Sequence, residues 1–111
     1  MAFDGNEGKS VTLEQAKRWT KRYRDENPGA VKAHFYGCEK IQEILKEPGC
    51  MGIRIYYGID EEGKKKLVLV GATKDQNNIL PEGQGKDGGG QLLDDGMDCP
   101  TFCPEGDDPL T

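Results

Sequence analysis

Two β-rich runs joined by a short turn constrain this chain more than anything else in it. Ile53, Ile55 and Tyr57 alternate with Arg54 and Tyr56. Asp60-Glu61-Glu62-Gly63 follows, and then Leu67, Val68, Leu69 and Val70. Successive side chains of a strand point to opposite faces, so the first run reads as a half-buried strand. A short turn with glycine near its end predicts an antiparallel hairpin. The second run is apolar on both faces, which predicts a central position or a helix over one side. A hairpin alone is marginal in water, so other elements must pack on it.

Two helical segments are available. Thr12 has Gln15 three residues on, which fits a capping box, whereas Ser10 has Leu13 there and does not. Ala16, Trp19, Thr20 and Tyr23 recur at helical spacing until Asn27-Pro28-Gly29 stops them. The first helix is expected over residues 12–26, with Trp19 and Tyr23 packed inward beside Ala16. Cys38, Ile41, Ile44 and Leu45 form the apolar face of a second helix over residues 37–46, ended by Glu47-Pro48-Gly49. The stretch from Val31 to Tyr36 reads as a short strand, a loop or a helical turn. The fold class is therefore α+β, two helices packed on a small antiparallel sheet of two or three strands. Residues 1–80 form the expected domain, and residues 81–111 a flexible glycine-rich acidic tail.

Composition supports a small core. Of 111 residues, apolar types make up 34% and charged types 32%, and 16 are glycine. A chain this short is expected to form one domain. The net charge of −5 is unevenly spread: residues 75–111 hold nine acids and one base, and residues 1–74 the other 11 acids and 14 bases. Such asymmetry suggests an acidic tail beside a mildly basic body. The longest apolar runs fall far short of the roughly 20 residues that span a bilayer. Residues 1–9 are polar and lack the features of a signal peptide. The expected location is therefore cytoplasmic, with Cys38, Cys50, Cys99 and Cys103 as free thiols or metal ligands rather than disulfides.

The cysteines carry the clearest chemical lead. Zinc takes four ligands in a tetrahedron, and Cys50, Cys99 and Cys103 supply three, with Cys38 or His34 as the fourth. Structural zinc sites, however, usually contain paired Cys knuckles, and only Cys99 and Cys103 are so spaced. A Cys99–Cys103 disulfide is an equal alternative, and no cofactor is expected beyond this zinc reading. Locally, Cys99, Cys103 and Pro104 resemble the Cys-x-x-x-Cys-Pro loop of Sco-type copper chaperones, which implies copper binding by two thiolates. The chain lacks the repeated βαβ pattern which that family's fold demands. His34 precedes Cys38 by four residues, which puts both on one face only if the segment is helical; no catalytic residue is assigned.

The first helix carries Lys17, Arg18, Lys21 and Arg22 interleaved with Trp19 and Tyr23. Bases neutralise phosphates and aromatic faces stack on nucleobases, so nucleic-acid binding is an alternative reading. Overall acidity argues against it. The same face suits an acidic segment of this chain or a neighbour.

Several stretches together carry a resemblance: Thr12-Leu13-Glu14, Trp19-Thr20, Lys32-Ala33-His34-Phe35-Tyr36-Gly37, Pro48-Gly49-Cys50, Gly52-Ile53-Arg54-Ile55-Tyr56-Tyr57-Gly58 and the closing Cys99-Pro100-Thr101-Phe102-Cys103. They resemble short uncharacterised bacterial proteins of the Bacteroidetes type. That resemblance implies no activity, ligand or catalytic residue. The leading expectation is a non-enzymatic interaction or accessory protein with an unidentified protein partner. Membrane binding is not expected, and self-association is left open.

Overall fold

A computed structural model describes residues 2–81, 90–94, 96–99, 104 and 106–111. The fold is α+β, the class expected from the sequence. Its elements are α1 (Leu13–Glu26), β1 (Ala33–Phe35), α2 (Cys38–Leu45), β2 (Cys50–Ile59), β3 (Lys65–Thr73), β4 (Leu92–Leu93) and β5 (Met97–Cys99). They group into two compact units, one of Met1–Glu7 and Tyr36–Asp95, the other of Gly8–Phe35 and Gly96–Thr111. The glycine-rich run 83–90 lies outside the described residues except for Gly90.

The first unit is built on the predicted hairpin. β2 and β3 pair antiparallel with Ile53 opposite Gly71, Ile55 opposite Leu69 and Tyr57 opposite Leu67. Asp60 shapes the turn, because its Oδ1 accepts from the backbone N–H groups of Glu62 and Lys64, each at 2.9 Å. The strands run longer than the apolar pattern, since backbone pairing continues where side chains turn polar. β4 pairs with the other edge of β3, Leu69 opposite Leu93, giving the order β2-β3-β4. β3 is thus central, one of the two arrangements that its apolar faces suggested, and Leu69, Val70 and Ala72 are at most 3% exposed.

α2 lies across β2 and β3. Its anchor is Ile44, fully buried, while Leu45 on the expected apolar face is 47% exposed. The approach is close at Gly71, where a Cβ would stand 3.3 Å from Ile44 Cγ2 and 3.1 Å from Cys50 Sγ. A bare backbone there lets the helix settle onto the sheet.

The second unit joins α1 to a two-stranded ribbon. The capping box is present: Thr12 Oγ1 accepts from the Gln15 N–H at 3.1 Å, and Gln15 Oε1 accepts from the Thr12 N–H at 3.2 Å. The ambiguous stretch 31–36 resolves as β1, paired antiparallel with β5, Ala33 opposite Cys99 and Phe35 opposite Met97. Cys99 is 1% exposed. The expectation that Trp19 and Tyr23 pack inward is corrected: no residue of α1 is buried, and Trp19 is 57% exposed. Strands of only three residues offer this unit too little apolar surface to cover a helix.

Candidate interaction surface

The residues singled out for metal or phosphate chemistry fall in different places. Cys99 is disulfide-bonded, whereas Cys38 and Cys50 are free. The expectation of free thiols is thus corrected at Cys99, and an oxidised sulfur cannot serve as a thiolate ligand. Cys103 lies outside the described residues. Cys38 is exposed at the first position of α2 rather than on its core face. Cys50 is half-buried, with its Sγ 3.2 Å from the Gly52 carbonyl oxygen, to which it donates. His34 sits in β1, so the helical spacing that would align it with Cys38 does not arise. Among the described residues no three His, Cys, Asp or Glu side chains gather to hold a metal.

The bases of α1 are largely engaged on the helix itself. Lys21 meets Asp25 at 2.7 Å and Arg22 meets Glu26 at 2.8 Å, both one turn on, and Lys17 lies 3.9 Å from Glu14. Arg24 Nη1 donates to the Leu110 carbonyl at 2.6 Å. These exposed pairs are individually weak, but they lower the positive potential that a phosphate chain would meet. The chemistry of α1 is that of a solvated helix face with an aromatic stripe.

The most distinctive surface lies on β2. Strand alternation puts Ile55, Tyr57 and Ile59 on one face of the sheet. They are 52%, 91% and 75% exposed. β2 is also an edge strand, since among the described residues only β3 pairs with it. The direction of its free backbone groups follows from the turn. The Asp60 N–H donates to the Lys64 carbonyl at 2.9 Å, so Asp60 turns its backbone toward β3. With period two, Gly58, Tyr56 and Arg54 do the same, and Ile53, Ile55, Tyr57 and Ile59 point their N–H and C=O groups outward. A row of amides unpaired among the described residues, beside exposed apolar side chains, is a template for another strand.

The opposite face of β2 is polar and tied down. Arg54 Nη1 donates to Asn78 Oδ1, and Asn78 Nδ2 donates to the Tyr56 hydroxyl at 2.8 Å. The Arg54 guanidinium lies 5.7 Å from the centre of the Phe3 ring, within cation–π range. The Asn78 hydrogen bond, with help from Arg54, lowers the Tyr56 phenol pKa from its ordinary value. Among the described residues Arg54 has no carboxylate partner. Phe3, Gly5, Glu7 and Arg54 line a shallow cleft of about 300 Å³ with Met51 and Gly52.

One half-buried acid follows the end of α2. Glu47 Oε2 accepts from the Gln91 N–H at 3.0 Å, but its Oε1 is buried with no hydrogen-bond partner among the described residues. Burial raises the Glu47 pKa, and the Gln91 hydrogen bond opposes this only in part. A carboxyl whose folded pKa is raised binds its proton more tightly folded than unfolded. Its contribution to stability is therefore present below the ordinary carboxylate value and lost as pH rises through the raised one. Urea midpoints of the wild type should carry this component, stability rising as pH falls toward the carboxylate range. Glu47→Gln should remove it, and identical pH profiles for the two proteins would contradict the assignment.

No protein-family model, no curated protein and no solved structure matches this chain. Sequence reasoning placed β2 correctly, yet passed over its edge as a site. The available signal was the apolar set Ile55, Tyr57 and Ile59, which alternation places on one face of a single strand.

Proposed function

We propose that this is a non-enzymatic interaction or accessory protein that takes up a strand of a protein partner along the outer edge of β2. The supporting observation is the coincidence on one edge strand of outward backbone groups with three exposed apolar side chains, Ile55, Tyr57 and Ile59. Strand addition draws affinity from main-chain hydrogen bonds and specificity from alternate side chains, and β2 offers both. Soluble proteins ordinarily blunt such an edge with charge, proline or a bulge. Here the one register shift lies at Cys50/Gly52, away from the apolar trio. No helix among the described residues is long and apolar enough to cross a membrane.

Amide hydrogen exchange on the labelled full chain tests this reading. It is followed alone at low concentration, alone at high concentration, and with native extract added. The amides of Ile55, Tyr57 and Ile59 should exchange freely when dilute and become protected when a partner strand is present. Those of Tyr56 and Gly58, already turned toward β3, should hardly change. Outward amides that stay unprotected in every condition would overturn the proposal.

A further inference from the structure

The geometry points to a second copy of this chain as the strand that completes the edge: we infer a two-fold antiparallel pairing of β2 with its copy, centred on Tyr57. This rests on the reading of β2 as a docking edge and names its partner.

The register follows from the outward groups and the side chains beside them. A two-fold axis between antiparallel strands pairs residues whose numbers have a constant sum. Outward backbone groups must meet outward ones, so Ile53, Ile55, Tyr57 and Ile59 pair only with one another or with the next alternate residue, Glu61. Centring on Tyr57 puts Tyr57 opposite Tyr57 of the second copy and Ile55 opposite its Ile59. Ile55, Tyr57 and Ile59 then meet only one another's counterparts, which suits the high exposure of Tyr57 and Ile59, 91% and 75%.

The other face selects among registers. Arg54, Tyr56, Gly58 and Asp60 lie on it in alternation. With Tyr57 at the centre, Tyr56 falls opposite Gly58 of the copy, a large ring against a bare backbone, and Arg54 falls opposite its Asp60. These are the closely approaching positions of an antiparallel ladder, where opposite charges attract most effectively. Arg54 has no carboxylate partner among the described residues of its own chain. Asp60 keeps its negative charge, because the Lys64 and Glu62 backbone N–H groups hold its carboxyl below the usual value. Its own-chain lysine, Lys66, stands at 3.9 Å, the long limit of an ion pair. Centring on Ile55 would set Arg54 against Tyr56, and centring on Tyr56 would set it against Gly58. Of these three registers, only the one centred on Tyr57 matches the charges, and two-fold symmetry makes the match twice.

Single-cysteine cross-linking reads the register directly. Tyr57→Cys, made in a background with Cys38→Ser and Cys50→Ser so that it is the one free thiol among the described residues, places two thiols across the axis at a Cα separation of about 5.5 Å, which a disulfide spans. Mild oxidation of this full-length variant should give a covalent dimer. Ile55→Cys and Ile59→Cys should give little dimer singly and a cross-linked pair when mixed. Equal cross-linking at all three positions, or dimer from Ile55→Cys alone, would overturn the register. Sedimentation of the unmodified chain provides the second readout, with a concentration-dependent dimer expected and weakened at least tenfold by Tyr57→Lys. A monomer at every concentration would overturn the inference. If extract nevertheless protects the outward amides, the interaction reading stands with a different partner; if it does not, both fall.

Discussion

Replacing Ile44 by alanine is expected to cost about 2–5 kcal/mol of stability, the range for emptying a buried aliphatic site. Ile44 is the only residue of α2 that is fully buried, and it holds the helix against β2 and β3. Its neighbour Leu45 has nearly the same chemistry but is 47% exposed. Leu45→Ala should therefore cost about 1 kcal/mol or less, since roughly half of its side chain already meets water. Urea denaturation of the two variants separates the cases. The total stability of a small domain is about 5–15 kcal/mol, so the Ile44 variant should be visibly weakened. Equal effects from Ile44→Ala and Leu45→Ala would mean that α2 sits differently on the sheet.

The second large effect is expected at Gly90. A Cβ there would overlap the Ile79 carbonyl oxygen and stand 2.6 Å from the carbonyl carbon. Both are backbone atoms, and Ile79 is itself 2% exposed and bonded through its N–H to the Gly71 carbonyl at 2.8 Å. Neither side of the clash can swing away. Gly90→Ala should cost more than the about 1–3 kcal/mol typical of overpacking, unless the chain detaches locally. Detachment breaks the Gly90 N–H bond to the Leu80 carbonyl, now 2.9 Å, and with it the short β4 pairing. Amide exchange at Leu92 and Leu93 would then accelerate while the β2–β3 amides stay protected. Unchanged stability together with unchanged exchange would contradict the close approach.

The contrast with Gly71 shows why the neighbour matters more than the glycine. A Cβ on Gly71 is only 2.9 Å from Glu47 Oε1, but that atom ends a flexible side chain. The carboxyl can turn aside, whereas the Ile79 peptide cannot.

Much of the fold was legible in the chain. The capping box at Thr12, the Pro-Gly stops after both helices and the hairpin with its Asp60–Gly63 turn depend on residues within a few positions of one another, and each appears as expected. Local rules suffice there because backbone geometry and hydrogen-bond demand act over single turns. Periodicity also showed that β3 needs cover on both faces, and it obtains neighbours on both edges as well. The same rules misread the inward direction of Trp19, because periodicity marks a stripe without saying whether enough surface exists to bury it.

The candidate surface was decided elsewhere. Ile55 and Leu69 look alike in sequence, yet Leu69 is 3% exposed and Ile55 52%. What separates them is strand order, which makes β3 central and leaves β2 at the edge, and that order depends on β4 joining from about twenty positions downstream of β3. The buried oxygen of Glu47 arises in the same way, from contacts that the folded chain alone creates. The sequence by itself determined α1, α2 and the β2–β3 hairpin, because those choices are made by near neighbours. Only the tertiary structure decided which apolar side chains the core consumes and which remain for a partner, because burial is a property of the whole assembly of elements and of no segment within it.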